Sequence, residues 1–229
     1  MHYAWLVWSL LILISWGILY VSLAEERKRE MLAVSFWTAI FGFTEPLFVP
    51  AYWNPPSLFD LAWRTGFDLE SFIFTFGVGG IAVVAYDRLF RVRDRRMSSH
   101  ERHSSRHRYH LVALLLAPTA FAVLFFTTSL NPIYSAIIAM TAGGVATWYC
   151  RPDLKKKMLA SALIFLGIYF LYFLTLIALY PGYVEQVWNL EVLSGILIVG
   201  IPLEELLFAG SFGFMWSSVY EHIAWKRLK

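Results

Sequence analysis

Residues 3–24 read YAWLVWSLLILISWGILYVSLA and contain no charged side chain. An α-helix rises 1.5 Å per residue, so about 20 apolar residues cross the roughly 30 Å of hydrocarbon in a bilayer. A signal peptide would have a shorter apolar stretch followed by a cleavage site of small residues, and residues 3–24 lack such a site. We therefore interpret this stretch as a retained transmembrane helix.

The rest of the chain has the same apolar character. Of 229 residues, 59% are hydrophobic, 18% are aromatic and 15% are charged, which excludes a soluble domain with a surface that faces water. The composition predicts an all-α integral membrane protein with about seven transmembrane helices. The predicted spans cover residues 3–23, 31–50, 66–86, 110–128, 132–149, 158–180 and 193–217.

The basic residues give the predicted spans a direction. Eighteen of the 19 lysines and arginines follow spans one, three, five and seven, and Arg64 is the exception. By the positive-inside rule, the side with the basic residues is cytoplasmic. This predicts a multi-pass protein of the cell membrane with its N-terminus outside and its C-terminus in the cytoplasm. Trp53, Tyr183 and Trp188 then lie at the outer interface.

Two short motifs recur in the two halves of the chain. Residues 69–74 (LESFIF) resemble residues 203–208 (LEELLF), and Trp53-Asn54 resembles Trp188-Asn189. Spans one to three and five to seven also run in the same direction if span four is an extra crossing. We therefore predict two parallel three-helix repeats joined by a linking helix. The predicted divisions are 1–87 for the first repeat, 88–131 for a basic cytoplasmic loop and the linking helix, and 132–229 for the second repeat.

Carboxylates lie inside the predicted spans, where charge is costly. Glu204 and Glu205 are near the middle of the last span, Glu70 is a few residues into span three, and Glu45 is near the outer end of span two. A charged side chain at mid-bilayer costs about 2.5–3.5 kcal/mol, so such acids are candidates for function. No lysine or arginine lies inside a predicted span, so we expect some of these acids to be protonated and able to donate a proton. For Glu45 and Glu70, an interfacial position among headgroups is the alternative.

The last predicted span should also be interrupted. Pro202 removes a backbone hydrogen bond just before the glutamate pair, and Gly200 loosens the chain, so we expect a kink or a helix break there. Aromatic residues flank the acids in both halves, among them Phe74 and Phe208. Aromatic ring faces attract positive charge and would suit a cationic intermediate.

Residues 201–208 read IPLEELLF, which resembles the Pro-x-Glu-Glu-x-x-Phe signature of the membrane-embedded lycopene cyclases. That family occurs as two small subunits or as one fused chain, and each half has three spans and its own motif. The resemblance covers nearly the whole chain in layout, length and repeat. In the first half, Asp68-Leu69-Glu70-Ser71 stands where Pro-x-Glu-Glu is expected and retains one of the two glutamates.

The resemblance implies cyclisation of a carotenoid end group. An acid protonates the terminal double bond of an acyclic end group, the next double bond attacks the cation, and a base removes a proton. It implies no cofactor and no metal, an apolar carotenoid or isoprenoid substrate, contact with membrane lipid, no nucleic acid, and a possible homo-oligomer. The predicted catalytic residues are Glu204, Glu205, Glu70 and Glu45. The predicted substrate-binding residues are Phe74, Phe208, Pro202, Trp53, Asn54, Trp188 and Asn189.

Other functions fit parts of the pattern. A CAAX-type membrane protease would need an arginine at position 209, where alanine stands, so this function is disfavoured. A retinal-binding rhodopsin would need a lysine inside span seven and is excluded. A proton-coupled transporter remains open because carriers also use paired halves with acids in the membrane. A carotenoid-binding protein without catalysis also remains open, given the altered first motif.

The remaining candidate ligands are histidines and one cysteine. His100, His103 and His107 lie among arginines and serines between the halves, where they could bind a metal on a helix. We favour a mobile basic loop near anionic headgroups instead. Cys150 is the sole cysteine and cannot form an internal disulfide.

Overall fold

The computed structural model describes residues 1–228, which are mostly helical. The α-helices are α1 Ala4–Val21, α2 Glu25–Ala39, α3 Glu45–Phe48, α4 Leu61–Thr65, α5 Leu69–Phe90, α6 Ser99–Arg102, α7 His110–Thr127, α8 Pro132–Cys150, α9 Lys155–Leu179, α10 Tyr183–Val187, α11 Leu203–Trp216 and α12 Val219–Ala224. Short 3₁₀ helices occupy Ile40–Thr44, Leu58–Asp60, Ser105–Tyr109, Pro152–Leu154 and Leu190–Val192. The strands are β1 Asp94–Arg96, β2 Leu197–Ile198, β3 Ile201–Pro202 and β4 Lys226–Leu228.

Six helical segments among the described residues are long and apolar enough to cross a membrane. This confirms the predicted fold class, an all-α multi-pass membrane protein. The seventh predicted span, residues 193–217, contains a strand hairpin followed by α11, which has 14 residues. The count of seven therefore stays a prediction. The six segments are Ala4–Val21, Glu25–Phe48, Leu69–Phe90, Ser105–Thr127, Pro132–Cys150 and Pro152–Leu179.

The break in the last segment lies where glycine and proline predict it. β2 and β3 pair as an antiparallel hairpin, and the two residues between them, Val199 and Gly200, have φ values of 54° and 81°. Pro202 then ends β3, and α11 begins at the next residue. Glu204 and Glu205 therefore lie in the first turn of a helix, not in the middle of one. The N-terminus of a helix carries a partial positive charge that favours carboxylates.

The chain divides into two compact units, and the division falls inside α5, α8, α9 and α11. The first unit comprises residues 1–81, 131–133 and 168–206, and the second comprises 82–130, 134–167 and 207–229. In the first unit, α1 and α9 are joined by Trp8 and Tyr172, whose rings stack with centroids 4.5 Å apart. The indole nitrogen of Trp8 donates to the Tyr172 carbonyl at 3.2 Å, and the Tyr172 hydroxyl donates to the Trp8 carbonyl at 2.6 Å.

The second unit is organised around a buried lysine. Lys157 Nζ lies 2.9 Å from a carboxylate oxygen of Asp87 and 2.5 Å from one of Glu221, and all three side chains are buried. The sequence places none of these residues in the core, because each lies near the end of an apolar segment. A buried lysine needs such partners, since an unpaired charge away from water is very costly.

Part of the basic loop in the second unit forms regular structure. β1 pairs antiparallel with β4 near the C-terminus. The Ser98 hydroxyl accepts from the Glu101 amide and the Glu101 carboxylate accepts from the Ser98 amide, which is a capping box at the start of α6. Glu101 also pairs with Arg95 and Arg227, so this loop is tied to the chain's last residues by charge as well as by strand pairing.

Gly213 on α11 provides a test of helix packing within the second unit. A Cβ atom there would lie 2.7 Å from the Ser161 carbonyl oxygen and 2.8 Å from Phe165 Cβ, both on α9. We expect Gly213→Ala to destabilise the protein by about 1–3 kcal/mol because the helices must move apart. Gly210→Ala on the same helix is the matched control, since a Cβ there meets nothing within 4 Å. Thermal denaturation in detergent measures both, and equal melting temperatures for the two variants would contradict this packing.

Candidate active site

Glu205 is held by three hydrogen-bond donors in the first unit. Its Oε1 accepts from the Tyr52 hydroxyl at 2.5 Å and from Trp188 Nε1 at 2.9 Å, and its Oε2 accepts from the Tyr169 hydroxyl at 2.6 Å. The carboxylate is buried. Burial, and then the neighbouring Glu205 carboxylate, raise the pKa of Tyr52 well above its ordinary value, so this phenol stays a neutral donor. Donors on both oxygens favour the charged form of Glu205, against the desolvation that burial imposes on it.

Glu204 and Glu70 have similar local environments. Each is the second residue of its helix, α11 or α5, and each is buried. Glu204 Oε1 accepts from the Ser194 amide at 2.8 Å, and Glu70 Oε1 accepts from the Leu58 amide at 2.7 Å. The donor precedes the glutamate by 10 residues in the first case and by 12 in the second. The LEEL and LESF motifs are therefore alike in hydrogen bonding as well as in sequence.

A second group of acids lies around Glu70. Asp68 precedes α5, and its Oδ1 accepts from the Ser71 amide at 2.5 Å, as an N-cap does. Burial raises the pKa of Asp68. Glu45 is buried in the first turn of α3, and Asp68 and Glu70 are its electrostatic neighbours. Among the predicted acids, Glu45 thus lies with Glu70, and Glu204 with Glu205.

The two Trp-Asn segments pair with each other. Trp53 and Trp188 form an antiparallel bridge, and their rings are 5.2 Å apart. The Asn54 amide donates to the Val187 carbonyl at 2.8 Å, and the Asn189 amide donates to the Tyr52 carbonyl at 3.0 Å. Each segment therefore gives and receives the same bond at the corresponding residue. Such reciprocal bonds are the ordinary pattern of an antiparallel bridge, so the two repeats stay a prediction. Both asparagines are exposed, so their backbone is what this contact uses.

Aromatic rings continue from this bridge into the first unit. Trp5 lies 4.7 Å from Trp53 and 5.4 Å from Phe74, measured between ring centroids. Phe74 is 6.4 Å from Tyr169, which holds Glu205, and Phe173 is 5.5 Å from Trp188. Electron-rich faces next to a buried carboxylate can stabilise a cation without solvating it with water.

The structure thus brings most predicted site residues into the first unit. Pro202 is buried directly before the Glu204 helix. Phe208 belongs to the second unit, where it stacks on Phe212 with centroids 5.6 Å apart. Sequence reasoning missed Tyr52 and Tyr169 as partners of Glu205. The position of Tyr52 next to Trp53-Asn54 was a usable signal, but nothing in the sequence distinguishes Tyr169 from other tyrosines of an apolar helix.

Comparison with known proteins gives one match. The family model of lycopene cyclases matches residues 131–223, which contain Trp188 and the two adjacent glutamates. No curated protein and no solved structure matches the chain. The family predicted from the IPLEELLF motif is therefore confirmed for this segment. Residues 131–223 are thus similar to the lycopene cyclases.

Proposed function

We propose that this membrane protein cyclises the ψ end group of an acyclic carotenoid, as a lycopene β-cyclase does. A carboxylic acid adds a proton to the terminal double bond, the next double bond closes a six-membered ring on the tertiary cation, and a base takes a proton to leave a β end group. One proton enters and one leaves, so the reaction is a non-redox isomerisation that needs no cofactor. The observation that carries the proposal is the buried, three-donor Glu205 beside Glu204 within the segment that matches the family.

The contacts favour different roles for the two adjacent glutamates. The donors Tyr52, Tyr169 and Trp188 favour the charged form of Glu205, which suits a group that offsets a cation's charge. We therefore assign proton donation to Glu204. Glu70 is the counterpart of Glu204 in the first half. Glu45 assists Glu70, because the charges of the two carboxyl groups act on each other. The altered first motif has Ser71 where Glu205 stands in the second half.

The substrate and its route follow from the surroundings. A C40-type polyene is as apolar as lipid, so it enters from the bilayer and makes its contacts with aromatic side chains such as Trp53, Phe74 and Trp188. The basic residues support a cytoplasmic C-terminus and an external N-terminus. Two parallel three-helix repeats, with Glu70 and Glu204 in corresponding positions, remain our proposal for the chain's organisation.

Product analysis tests the proposed reaction directly. The full chain is expressed in a bacterium that accumulates lycopene, its presence in the membrane is verified by immunoblot, and the pigments are separated by chromatography. We expect monocyclic or bicyclic products. Unchanged lycopene, with the protein present in the membrane, would argue for a carrier or a binding protein, because neither alters its ligand.

Tyr169→Phe tests the role of the donors around Glu205. A hydrogen bond to a charged group contributes about 1.5–3 kcal/mol, so losing it should slow cyclisation by about 10–100-fold if the charge on Glu205 assists the reaction. Tyr149→Phe, at an exposed tyrosine of α8, is the matched control and should retain full activity. Initial rates of cyclic carotenoid formation at equal membrane protein levels distinguish the two variants. Equal rates would remove Tyr169 from the mechanism.

A further inference from the structure

Three potential metal ligands converge in the second unit, apart from the carboxylates used above. His107 lies in the 3₁₀ helix Ser105–Tyr109, His110 begins α7, and Cys150 ends α8. One ligand atom from each lies within 4.8 Å of the other two. Cys150 is a buried free thiol, and both imidazoles are partly buried. Segments distant in sequence thus bring together two nitrogens and one sulfur.

The spacing of these atoms suits a tetrahedral ion. Cys150 Sγ lies 3.7 Å from His107 Nδ1 and 3.8 Å from His110 Nδ1. With Zn–S near 2.3 Å and Zn–N near 2.05 Å, the edge between sulfur and nitrogen in a tetrahedral site is about 3.6 Å. Both sulfur–nitrogen distances therefore lie within a few tenths of an ångström of that edge. A thiolate with two neutral imidazoles is a donor set that binds zinc in preference to magnesium or calcium.

A third imidazole lies beside this group. His222 packs edge-on against His110, with ring centroids 4.4 Å apart, and its Nδ1 is 3.5 Å from the Thr147 hydroxyl. His222 is 1% exposed, and its Nε2 has no hydrogen-bond partner among residues 1–228. A buried polar atom without a partner is costly, so it calls for a ligand or an ion. His222 is thus a further candidate ligand.

The surrounding charges are compatible with a cation. Arg151 follows Cys150, but its guanidinium donates to both carboxylate oxygens of Asp153 at 2.9 and 2.8 Å and to the Glu221 carbonyl at 3.0 Å. Its charge is therefore largely compensated. Trp225 stacks on His110 at 4.0 Å between centroids and shields one side from water.

We propose that His107, His110 and Cys150 form a site for a zinc-type divalent cation. The ion fixes the start of α7 to the end of α8, so its role is structural and independent of the proposed cyclisation. The Cys150 thiol gives up its proton to solvent when the ion binds.

Cobalt and zinc binding to the purified full chain test this site. The protein is produced without a histidine tag, is extracted in detergent, and is shown to be monodisperse. We expect about one zinc per chain by mass spectrometry of metals and, after replacement by Co²⁺, a thiolate-to-cobalt charge-transfer band with intense tetrahedral d–d bands. The spectrum of the unaltered protein is decisive by itself. Absence of the charge-transfer band in saturating Co²⁺ would overturn the proposal.

Two variants locate the site. Cys150→Ser should abolish the charge-transfer band and weaken zinc binding by more than about 100-fold, beyond the 10–100-fold effect of outer-shell changes. His103→Ala is the control, since His103 is exposed in the adjacent loop and its Nδ1 contacts the Ser99 carbonyl at 2.7 Å. It should bind zinc normally. If His103→Ala weakened zinc binding more than Cys150→Ser does, the metal would lie in the loop and the assignment would be wrong.

Discussion

Glu204→Gln is expected to lower the rate of carotenoid cyclisation by about 10²–10⁴-fold, the usual contribution of a general acid. Glutamine preserves the shape of the side chain. Its amide oxygen can still accept the hydrogen bond that the Ser194 amide donates to Glu204 Oε1 at 2.8 Å. It cannot protonate a double bond. The chain should therefore fold and enter the membrane normally but leave lycopene unchanged, as measured by chromatography of pigments at matched protein levels.

The control is Glu191→Gln, at an exposed glutamate of the 3₁₀ helix Leu190–Val192. We expect this variant to produce cyclic carotenoids at the unaltered rate. If Glu204→Gln remains as active as the control while Glu205→Gln is inactive, proton donation belongs to Glu205 and our assignment of the pair is wrong. If both glutamine variants retain full activity, the motif does not carry the chemistry.

Lys157→Met is expected to destabilise the protein by about 3–5 kcal/mol, the typical cost of removing one partner from a buried ion pair. Methionine is similar in length, so the change leaves little cavity. The loss arises because Asp87 and Glu221 would face each other, buried, without the ammonium that lies 2.9 and 2.5 Å from their oxygens. Thermal denaturation in detergent measures the effect.

Lys156→Met provides the matched comparison, because Lys156 is the exposed neighbour on α9. A surface lysine contributes little to stability, so its replacement should change the melting temperature only slightly. Partial recovery in a Lys157→Met variant that also carries Asp87→Asn and Glu221→Gln would trace the loss to unpaired charge. Equal melting temperatures for the two single lysine variants would show that the buried lysine is not a central part of the second unit.

The membrane-spanning helices could be predicted closely from local sequence. The predicted spans 3–23 and 132–149 correspond to Ala4–Val21 and Pro132–Cys150. The length of an apolar stretch is a local property, so a membrane span can be predicted without knowledge of how the helices pack. The break before Glu204 was equally local, because Gly200 and Pro202 act on their own backbone. The same two residues place the glutamates in the first turn of a helix, whereas the predicted span 193–217 puts them near its middle.

The partners of the acids could not be predicted in this way. Tyr52 lies 153 residues from Glu205 in sequence, and Lys157 lies 64 residues from Glu221. Hydropathy describes how each segment meets lipid, but it carries no information on which helix faces another. Runs of apolar residues and the IPLEELLF motif were sufficient for membrane helices and for the candidate acids. The three donors on Glu205 and the buried lysine arise from packing, because hydrogen bonds between distant segments exist only once their helices are in contact.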